Sequence, residues 1–215
     1  GSSDVCSSDL AAPLAYDHAT GFGMVRALGP LDAPSLPFGD SEALAEGDAV
    51  VVASFGGYDH AIAARMVAKH EFAGSWEYML DEAMYTAPMH PYWGGAALLD
   101  SGGRLVGTGS LYIEGAVPGE AASPGNMFVP INLLKPILAD MLLTGHGGGP
   151  DKPWLGVFTT ELQGMVVVSF ASTGGPAARA GIKRGDAIMG VGGIPVSRQE
   201  DFYRALGHRG KQALS

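Results

Sequence analysis

The residues Tyr92, Trp93, Gly94 and Gly95 are the first candidates for chemistry in this sequence, and they directly follow the helix-breaking Pro91. Glycines at a corner between a loop and a strand allow neighbouring backbone N–H groups to point the same way, which is the geometry of an anion or oxyanion pocket. A plain hairpin with a glycine-rich corner explains the same residues, because glycine marks turns in many proteins. The stretch alone leaves both interpretations open.

Few other residues are spaced for acid–base or metal chemistry. Asp17 and His18 are adjacent, but neighbours in a turn point apart, so the pair predicts a solvated turn. Asp81 and Glu82 would face opposite sides of a strand, which argues against a carboxylate dyad. The histidines form no H-x-x-x-H pattern and accompany no cysteine pair, so the sequence predicts no metal site. They are His18, His60, His70, His90, His146 and His208, of which His90 lies beside the corner.

The elements that must position the corner are short strands and turns. The apolar run at residues 96–99, the Ser101-Gly102-Gly103 turn and the apolar pair at 105–106 predict a hairpin. The β-branched run at 49–53 predicts a buried strand, and residues 60–67 and 76–85 alternate as barrel strands do, with a loop around Gly74.

Helices are predicted at three places. Asn132 is expected to cap a helix that carries an apolar face and ends at Thr144-Gly145. Pro176 is expected to open a short helix that Gly181 ends. Ser197 and Glu200 predict a capping box on a helix at 198–206 that Gly207 closes.

Composition narrows the function classes. The 215 residues suit one or two domains, and 33 glycines with 16% charged residues favour a turn-rich, mostly β chain. A formal net charge of −9 without clustered Lys or Arg argues against nucleic acid as a partner. No apolar run approaches the roughly 20 residues that span a bilayer, so no membrane insertion is predicted.

Residues 1–10, GSSDVCSSDL, lack periodicity and resemble an adapter or cloning remnant, so we expect them to be non-native. Without Cys6 the chain has no cysteine, hence no disulfide and no thiol nucleophile. The sequence suggests no cofactor.

Several segments resemble the HtrA/Deg family of trypsin-like serine proteases. The corner is similar to the family pattern N-P-G-N-S-G-G-P-L followed by G-x-V-I-G, with matches at Pro91, Leu98, Gly103 and Gly107. This alignment puts Gly94 at the nucleophilic serine, and a shift by one residue puts Trp93 there. Asp17 and Thr20 match D-P-x-T-D, and Gly21 then occupies the position of the catalytic aspartate. Residues 37–53 and 127–130 resemble the first and last strands of the second barrel.

The segment after residue 153 resembles a PDZ domain. Residues 174–188 match the pattern G-S-P-A-A-x-A-G-L-x-x-G-D-x-I, and residues 154–158 resemble the carboxylate-binding loop and following strand. The resemblance implies that Leu155, Gly156 and Val157 supply N–H groups to the terminal carboxylate of a bound peptide. Phe202 and Leu206 could line the helix side of that groove, or they could simply pack in the core.

The resemblance implies a mostly β chain with a trypsin-like (chymotrypsin-fold) barrel that is incomplete at its N-terminus, plus a truncated α+β PDZ domain. Residues 11–36 would be the last hairpin of a first barrel and a linker, and 37–144 the second barrel with a C-terminal helix. Residues 145–153 would be a linker, and 154–215 the PDZ domain. The histidine of the family's triad lies in a part of the barrel that this sequence does not contain.

The functional expectation is a protease homologue without hydrolytic activity that binds protein or peptide C-termini. Gly21 and Gly94 replace two triad positions, while the amides of Tyr92, Trp93 and Gly94 could remain as an oxyanion-like loop. The alternative is an active serine endopeptidase of envelope protein quality control that uses an unmatched hydroxyl, Thr86 or Ser101. The family further implies a cell-envelope or periplasmic location and often a homotrimer.

Overall fold

The structure is a computed structural model that describes residues 11–31, 33–117, 119, 123–148 and 154–212, with residues 208–212 as backbone only. The predicted remnant at 1–10 and residues 149–153 of the predicted linker lie outside the described residues. The chain divides into two compact units. The first comprises Gly1–His70 and Glu82–Gly148, and the second comprises Glu71–Asp81 and Gly149–Ser215. The sequence did not indicate that Glu71–Asp81 belongs to the second unit.

The first unit begins with an antiparallel hairpin of β1 (Ala11–Tyr16) and β2 (Gly23–Ala27), as the sequence predicted. Asp17 stabilises the turn between these strands, because its Oδ2 accepts hydrogen bonds from the Thr20 amide and hydroxyl at 2.8 and 2.7 Å. His18 packs edge-on against Tyr16, with ring centroids 4.7 Å apart. The Asp17 carboxylate therefore stabilises the β1–β2 turn.

Six strands close a barrel in the order β3-β4-β5-β8-β7-β6. They are β3 (Ala49–Ala53), β4 (Ile62–Gly74), β5 (Tyr78–Ala87), β6 (Ala97–Leu99), β7 (Leu105–Ile113) and β8 (Gly125–Pro130). Inward-facing apolar side chains fill the barrel, among them Val52, Met66, Leu98 and Phe128. The predicted hairpin across the Ser101-Gly102-Gly103 turn is β6–β7, and the chain is mostly β, as expected.

The helix predicted after Asn132 begins later than expected. A 3₁₀ turn covers Ile131–Leu133, and α1 runs only from Leu138 to Thr144. Pro136 has no amide hydrogen for the helical ladder, which accounts for the late start. Asn132 instead donates from Nδ2 to Asp40 at 2.7 Å. The end is as predicted, with Gly145 in the left-handed region at φ +84°.

The second unit contains a three-stranded sheet in the order β11-β10-β9, a two-stranded hairpin and two helices. The strands are β9 (Val157–Leu162), β10 (Met165–Ala171), β11 (Ala187–Ile188), β12 (Gly190–Val191) and β13 (Ile194–Pro195). The short helix α2 (Pro176–Arg179) lies where Pro176 and Gly181 predicted it. A core of Val157, Val166, Val168 and Phe202 holds these elements together.

The last helix, α3 (Gln199–Gln212), differs from its prediction at the C-terminal end. It continues through Gly207, so that glycine does not close it. At the start of the helix, Glu161 of β9 accepts a hydrogen bond from the Gln199 amide at 2.8 Å. Glu200 pairs with Arg198 at 3.2 Å. A carboxylate from a distant strand therefore caps this helix, which local sequence could not indicate. No described helix is long and apolar enough to cross a membrane.

Candidate functional site

The glycine-rich corner of the barrel is a tight loop held by its own backbone. The Gly95 amide donates to the Gly109 carbonyl at 2.9 Å, and the Ala96 amide donates to the Trp93 carbonyl at 3.0 Å. Gly109 is required here, because a Cβ at that position would lie 2.0 Å from the Trp93 oxygen. The Tyr92 amide donates to His90 Nδ1 at 3.0 Å. Any oxyanion-type pocket at this corner would therefore depend on the amides of Trp93 and Gly94.

His90 is a structural residue of this corner. Its side chain is buried, and its Nε2 lies 2.9 Å from the His60 carbonyl oxygen. Since Nδ1 accepts the hydrogen bond from Tyr92, the ring hydrogen belongs on Nε2, where it bonds to His60. Both ring nitrogens are thus engaged, and neither can act as a base toward a substrate without breaking a contact.

Gly94 and Gly21, the two glycines that the sequence resemblance aligns with triad positions, differ in the room they offer. Nothing lies within 4 Å of a Cβ built on Gly94, so a side chain would fit there. Gly21 lies in the β1–β2 turn at φ +78°, a backbone conformation that disfavours any side chain. Its amide donates to the Asp17 carbonyl at 2.8 Å. Neither glycine supplies the hydroxyl or carboxylate of a hydrolytic triad.

The two hydroxyls considered as substitute nucleophiles lie in contrasting places. Thr86 on β5 is fully buried, and its Oγ1 has no hydrogen-bond partner among the described residues. Ser101 is exposed in the β6–β7 turn. A substrate carbonyl could not reach Thr86 without opening the barrel wall. The described residues contain no group of three or more His, Cys, Asp or Glu side chains that could hold a metal ion.

A carboxylate-binding loop lies in the second unit just before β9. The Leu155 amide donates to Glu77 Oε2 at 2.9 Å, and the Val157 amide donates to Glu77 Oε1 at 2.7 Å. Gly156 between them has φ +76°. That left-handed conformation turns the backbone so that the flanking amides converge on one anion. Each oxygen of one carboxylate therefore accepts one backbone hydrogen bond, from Leu155 or from Val157.

The outer edge of β9 continues this site. β9 is the last strand of its sheet, so its outward amides find no partner in that sheet and can pair with an additional strand. The Thr159 amide donates to the Ser75 carbonyl at 2.9 Å. Val157 and Thr159 are two residues apart and point to the same edge, as expected for a β-strand. The segment that carries Ser75 and Glu77 thus lies along β9, with the Glu77 side-chain carboxylate in the loop.

Tyr203 of α3 joins the parts of this site, although the sequence analysis did not single it out. Its hydroxyl donates to the Gly74 carbonyl at 2.7 Å, accepts from the Glu77 amide at 3.2 Å and lies 3.1 Å from Thr159 Oγ1. Burial raises the pKa of Tyr203, so the hydroxyl stays protonated at neutral pH. No local sequence signal marks such a residue, because its partners are distant along the chain.

The two helix residues proposed for the groove have different environments. Phe202 is 1% exposed and lies in the core of the second unit, which is one of the two interpretations that the sequence left open. Leu206 is partly buried and lines a cavity together with Glu77, Met79 and Tyr203. Leu206 is therefore better placed than Phe202 to touch a ligand.

Comparison with known proteins agrees with this geometry. The sequence matches the trypsin-like peptidase domain family over residues 7–107 and the PDZ domain family over residues 167–214. The HtrA-type protease AlgW with a decapeptide is similar in structure, with a TM-score of 0.55 and 19% sequence identity, over 91% of this chain. AlgW with a tripeptide gives a TM-score of 0.53 at 19% identity over 92% of this chain. The chain thus carries a trypsin-like peptidase domain and a PDZ domain, and in fold and domain order it resembles HtrA-type proteases.

The chain spans 62% of the length of the AlgW chain with the decapeptide and 68% of the one with the tripeptide. A sequence comparison of this chain with curated proteins finds no match. At 19% identity the likeness concerns the fold. The chemistry of the barrel and the ligand of the PDZ domain therefore depend on the residues described above, and the likeness in fold does not define them.

Proposed function

We propose that this chain binds extended peptides by their free C-terminal carboxylate, using the loop at residues 155–157 and the outer edge of β9. One observation carries the proposal: a carboxylate, that of Glu77, lies in this loop with an amide hydrogen bond to each oxygen. PDZ domains bind peptides as an added strand and hold the terminal carboxylate in backbone N–H groups. The AlgW structures with a decapeptide and a tripeptide support the same class of ligand.

The proposal includes a barrel that does not hydrolyse peptide bonds. Acyl transfer of the trypsin type requires a hydroxyl nucleophile, a base and an orienting acid. Gly94 and Gly21 stand at the nucleophile and acid positions. Losing the serine or histidine of such a triad lowers kcat on the order of a million-fold. The chain would then act in binding, scaffolding or regulation.

An active endopeptidase is the alternative, and the match to the trypsin-like peptidase domain family favours it. It would need a hydroxyl such as that of Ser101, since Thr86 is buried. A fluorophosphonate probe distinguishes the two. Covalent labelling of the protein that is lost in Ser101→Ala would support the enzyme. Absence of labelling, with a trypsin-like protease labelled in parallel, would support the binding protein.

The likeness to HtrA-type proteases supports a proposal for the biological setting. We propose a cell-envelope or periplasmic location, C-termini of other proteins as partners, and assembly into a homotrimer through the barrel. Sedimentation analysis of the protein tests the trimer directly, and a monomer at micromolar concentration would contradict it.

Peptide binding is tested by fluorescence anisotropy on the whole chain. The probe is a pool of labelled heptapeptides with an apolar last residue, prepared once with a free C-terminal carboxylate and once as the C-terminal amide. We expect saturable binding of the free acids, weaker binding of the amides and loss of binding in Gly156→Glu. This substitution forces a side chain onto a left-handed position beside the Trp154 ring, 3.0 Å from a Cβ. Equal binding of acids and amides would overturn the proposal.

A further inference from the structure

The segment that occupies the peptide-binding edge belongs to this chain itself. It is the turn between β4 and β5, within Glu71–Asp81, which is part of the second unit. The Ser75 carbonyl pairs with the Thr159 amide, and Glu77, two residues further on, lies in the loop before β9. The segment therefore runs antiparallel to β9 and toward the loop. A peptide ligand of a PDZ domain likewise adds as a strand to the sheet edge and places a carboxylate among backbone N–H groups.

Glu77 replaces the terminal carboxylate of such a peptide. Each of its oxygens accepts one amide hydrogen bond, at 2.7 and 2.9 Å, which is the short range typical of charge-assisted bonds. Its backbone has φ +59°, a conformation that glutamate rarely adopts. A backbone held in an unfavourable region persists only where surrounding contacts outweigh its cost, and such positions concentrate at functional sites. Here the contacts are those that bring the carboxylate into the loop.

Further contacts hold the turn on the second unit. Tyr203 bonds both to the Gly74 carbonyl and to the Glu77 amide. Glu71 forms ion pairs with Arg198, at 3.6 Å, and with Arg204. Ala73 and Met79 pack against the apolar core of the unit. Several independent contacts therefore hold the turn between β4 and β5. Among its side-chain contacts, that of the Glu77 carboxylate lies where the terminal carboxylate of a peptide would bind.

We propose that residues 74–77 form an internal ligand that closes the peptide-binding edge and competes with C-terminal peptides. The inference rests on the proposed function, because it specifies how that site is regulated. A peptide can occupy the loop only when Glu77 has left it. The apparent affinity for peptides is then the intrinsic affinity reduced by the fraction of molecules in which the edge is open.

The test uses the whole chain and a graded set of variants. Glu77→Asn tolerates the left-handed backbone, removes the charge and is one carbon shorter, so it should release the loop. Glu77→Gln keeps the length without the charge and should have an intermediate effect. Glu46→Ala changes a carboxylate that is exposed in the first unit and serves as the matched control.

With the labelled heptapeptide acids as the probe, we expect Glu77→Asn to bind at least about tenfold more tightly than the wild type. We expect Glu46→Ala to bind as the wild type does. Adding Gly156→Glu to Glu77→Asn should abolish the gain. Equal affinities of wild type and Glu77→Asn, both lost with Gly156→Glu, would leave the binding function standing and overturn the internal ligand.

Hydrogen exchange gives a readout that needs no peptide. The amides of Leu155 and Val157 should exchange faster in Glu77→Asn than in the wild type, while those inside β10 stay unchanged. Unchanged exchange at residues 155 and 157 would overturn the inference whatever the peptides do. Faster exchange there without any peptide binding by Glu77→Asn would instead support the contact and overturn the proposed binding function. In the wild type, bound peptide should speed exchange at residues 74–77.

Discussion

The Asn126 side chain on β8 holds the backbone of His90 on both sides. Its Oδ1 accepts from the His90 amide at 2.6 Å, and its Nδ2 donates to the His90 carbonyl at 3.4 Å. Both residues are buried. His90 in turn accepts from the Tyr92 amide. The corner loop that resembles a protease active site is therefore attached to the barrel through a buried amide.

Replacing Asn126 should loosen this corner. Asn126→Ala leaves a buried amide and a buried carbonyl of His90 without their partner, which costs roughly 1–3 kcal/mol for each unsatisfied group. We expect a comparable loss in the free energy of unfolding, measured by urea titration. We also expect faster hydrogen exchange at the amides of residues 90 and 92. Glu46→Ala, which removes an exposed side chain of the first unit, is the control. An Asn126→Ala protein as stable as that control would contradict this account of the corner.

Placing a serine at the corner should not create a protease. Gly94→Ser has room for its side chain, because nothing lies within 4 Å of the Cβ position. The hydroxyl would lack an activating base, since both ring nitrogens of His90 are already engaged. We expect the variant to fold normally and to remain unlabelled by a fluorophosphonate probe. Stoichiometric labelling that maps to residue 94 would show that a base reaches the corner after all.

The sequence predicted the barrel and the PDZ-type unit because their signals are local. The β-branched run of β3, the glycine turn between β6 and β7 and the Pro176 helix start each depend on a few consecutive residues. The start of α1 was misplaced because Asn132 bonds to Asp40 and Lys135 rather than capping a helix. Local pattern cannot distinguish these two uses of an asparagine.

The candidate site was predicted only in part, and for a similar reason. The resemblance of residues 154–158 to a PDZ loop pointed to Leu155, Gly156 and Val157, and the Leu155 and Val157 amides do bond to a carboxylate. Glu77 could not, because it contacts Leu155 across 78 residues of chain and lies at a left-handed position that glutamate rarely occupies. Residues that act through long-range contacts leave no spacing pattern in one sequence.

The β6–β7 turn should make stability sensitive to acid. Burial opposes ionisation of Asp100, but hydrogen bonds from the Arg104 amide, the Arg104 guanidinium and the Gly102 amide hold its pKa below the ordinary value of 3.8. A carboxyl whose pKa is lower in the folded state stabilises the fold at pH values above its unfolded pKa. This contribution is lost as the pH falls through the folded pKa.

Asp100→Asn should therefore lower the free energy of unfolding at neutral pH by about 1–3 kcal/mol, since it weakens charge-assisted hydrogen bonds. The difference from the wild type should shrink as the pH falls below about 3.8, where the carboxyl of the unfolded chain becomes neutral, and should vanish below the lower pKa of the folded state. Urea titrations between pH 7 and pH 3 measure this, with Glu46→Gln as an exposed control. A difference that stays constant over this range would show that the charge of Asp100 contributes nothing.

At the alkaline end, Tyr85 of β5 should limit stability. The side chain is 3% exposed and stacks on His70, with ring centroids 4.2 Å apart. Burial raises the pKa of Tyr85 from 10.0 to about 12. The neutral phenol therefore contributes stability that is fully present below pH 10 and is lost as the pH rises from 10 to about 12. Two pKa units correspond to roughly 2–3 kcal/mol.

Tyr85→Phe carries no phenol to ionise, so its free energy of unfolding should fall less steeply than that of the wild type above pH 10. Between pH 10 and about pH 12 the wild type should lose roughly 2–3 kcal/mol of unfolding free energy relative to Tyr85→Phe. Urea titration of the barrel, followed by its backbone amide signals, provides the measurement. Tyr58→Phe, at a side chain that is 95% exposed, is the matched control and should run parallel to the wild type. If Tyr85→Phe also ran parallel, the buried phenol would have to ionise as readily in the folded barrel as in the unfolded chain, and solvent would have to reach it through the wall between β4 and β5.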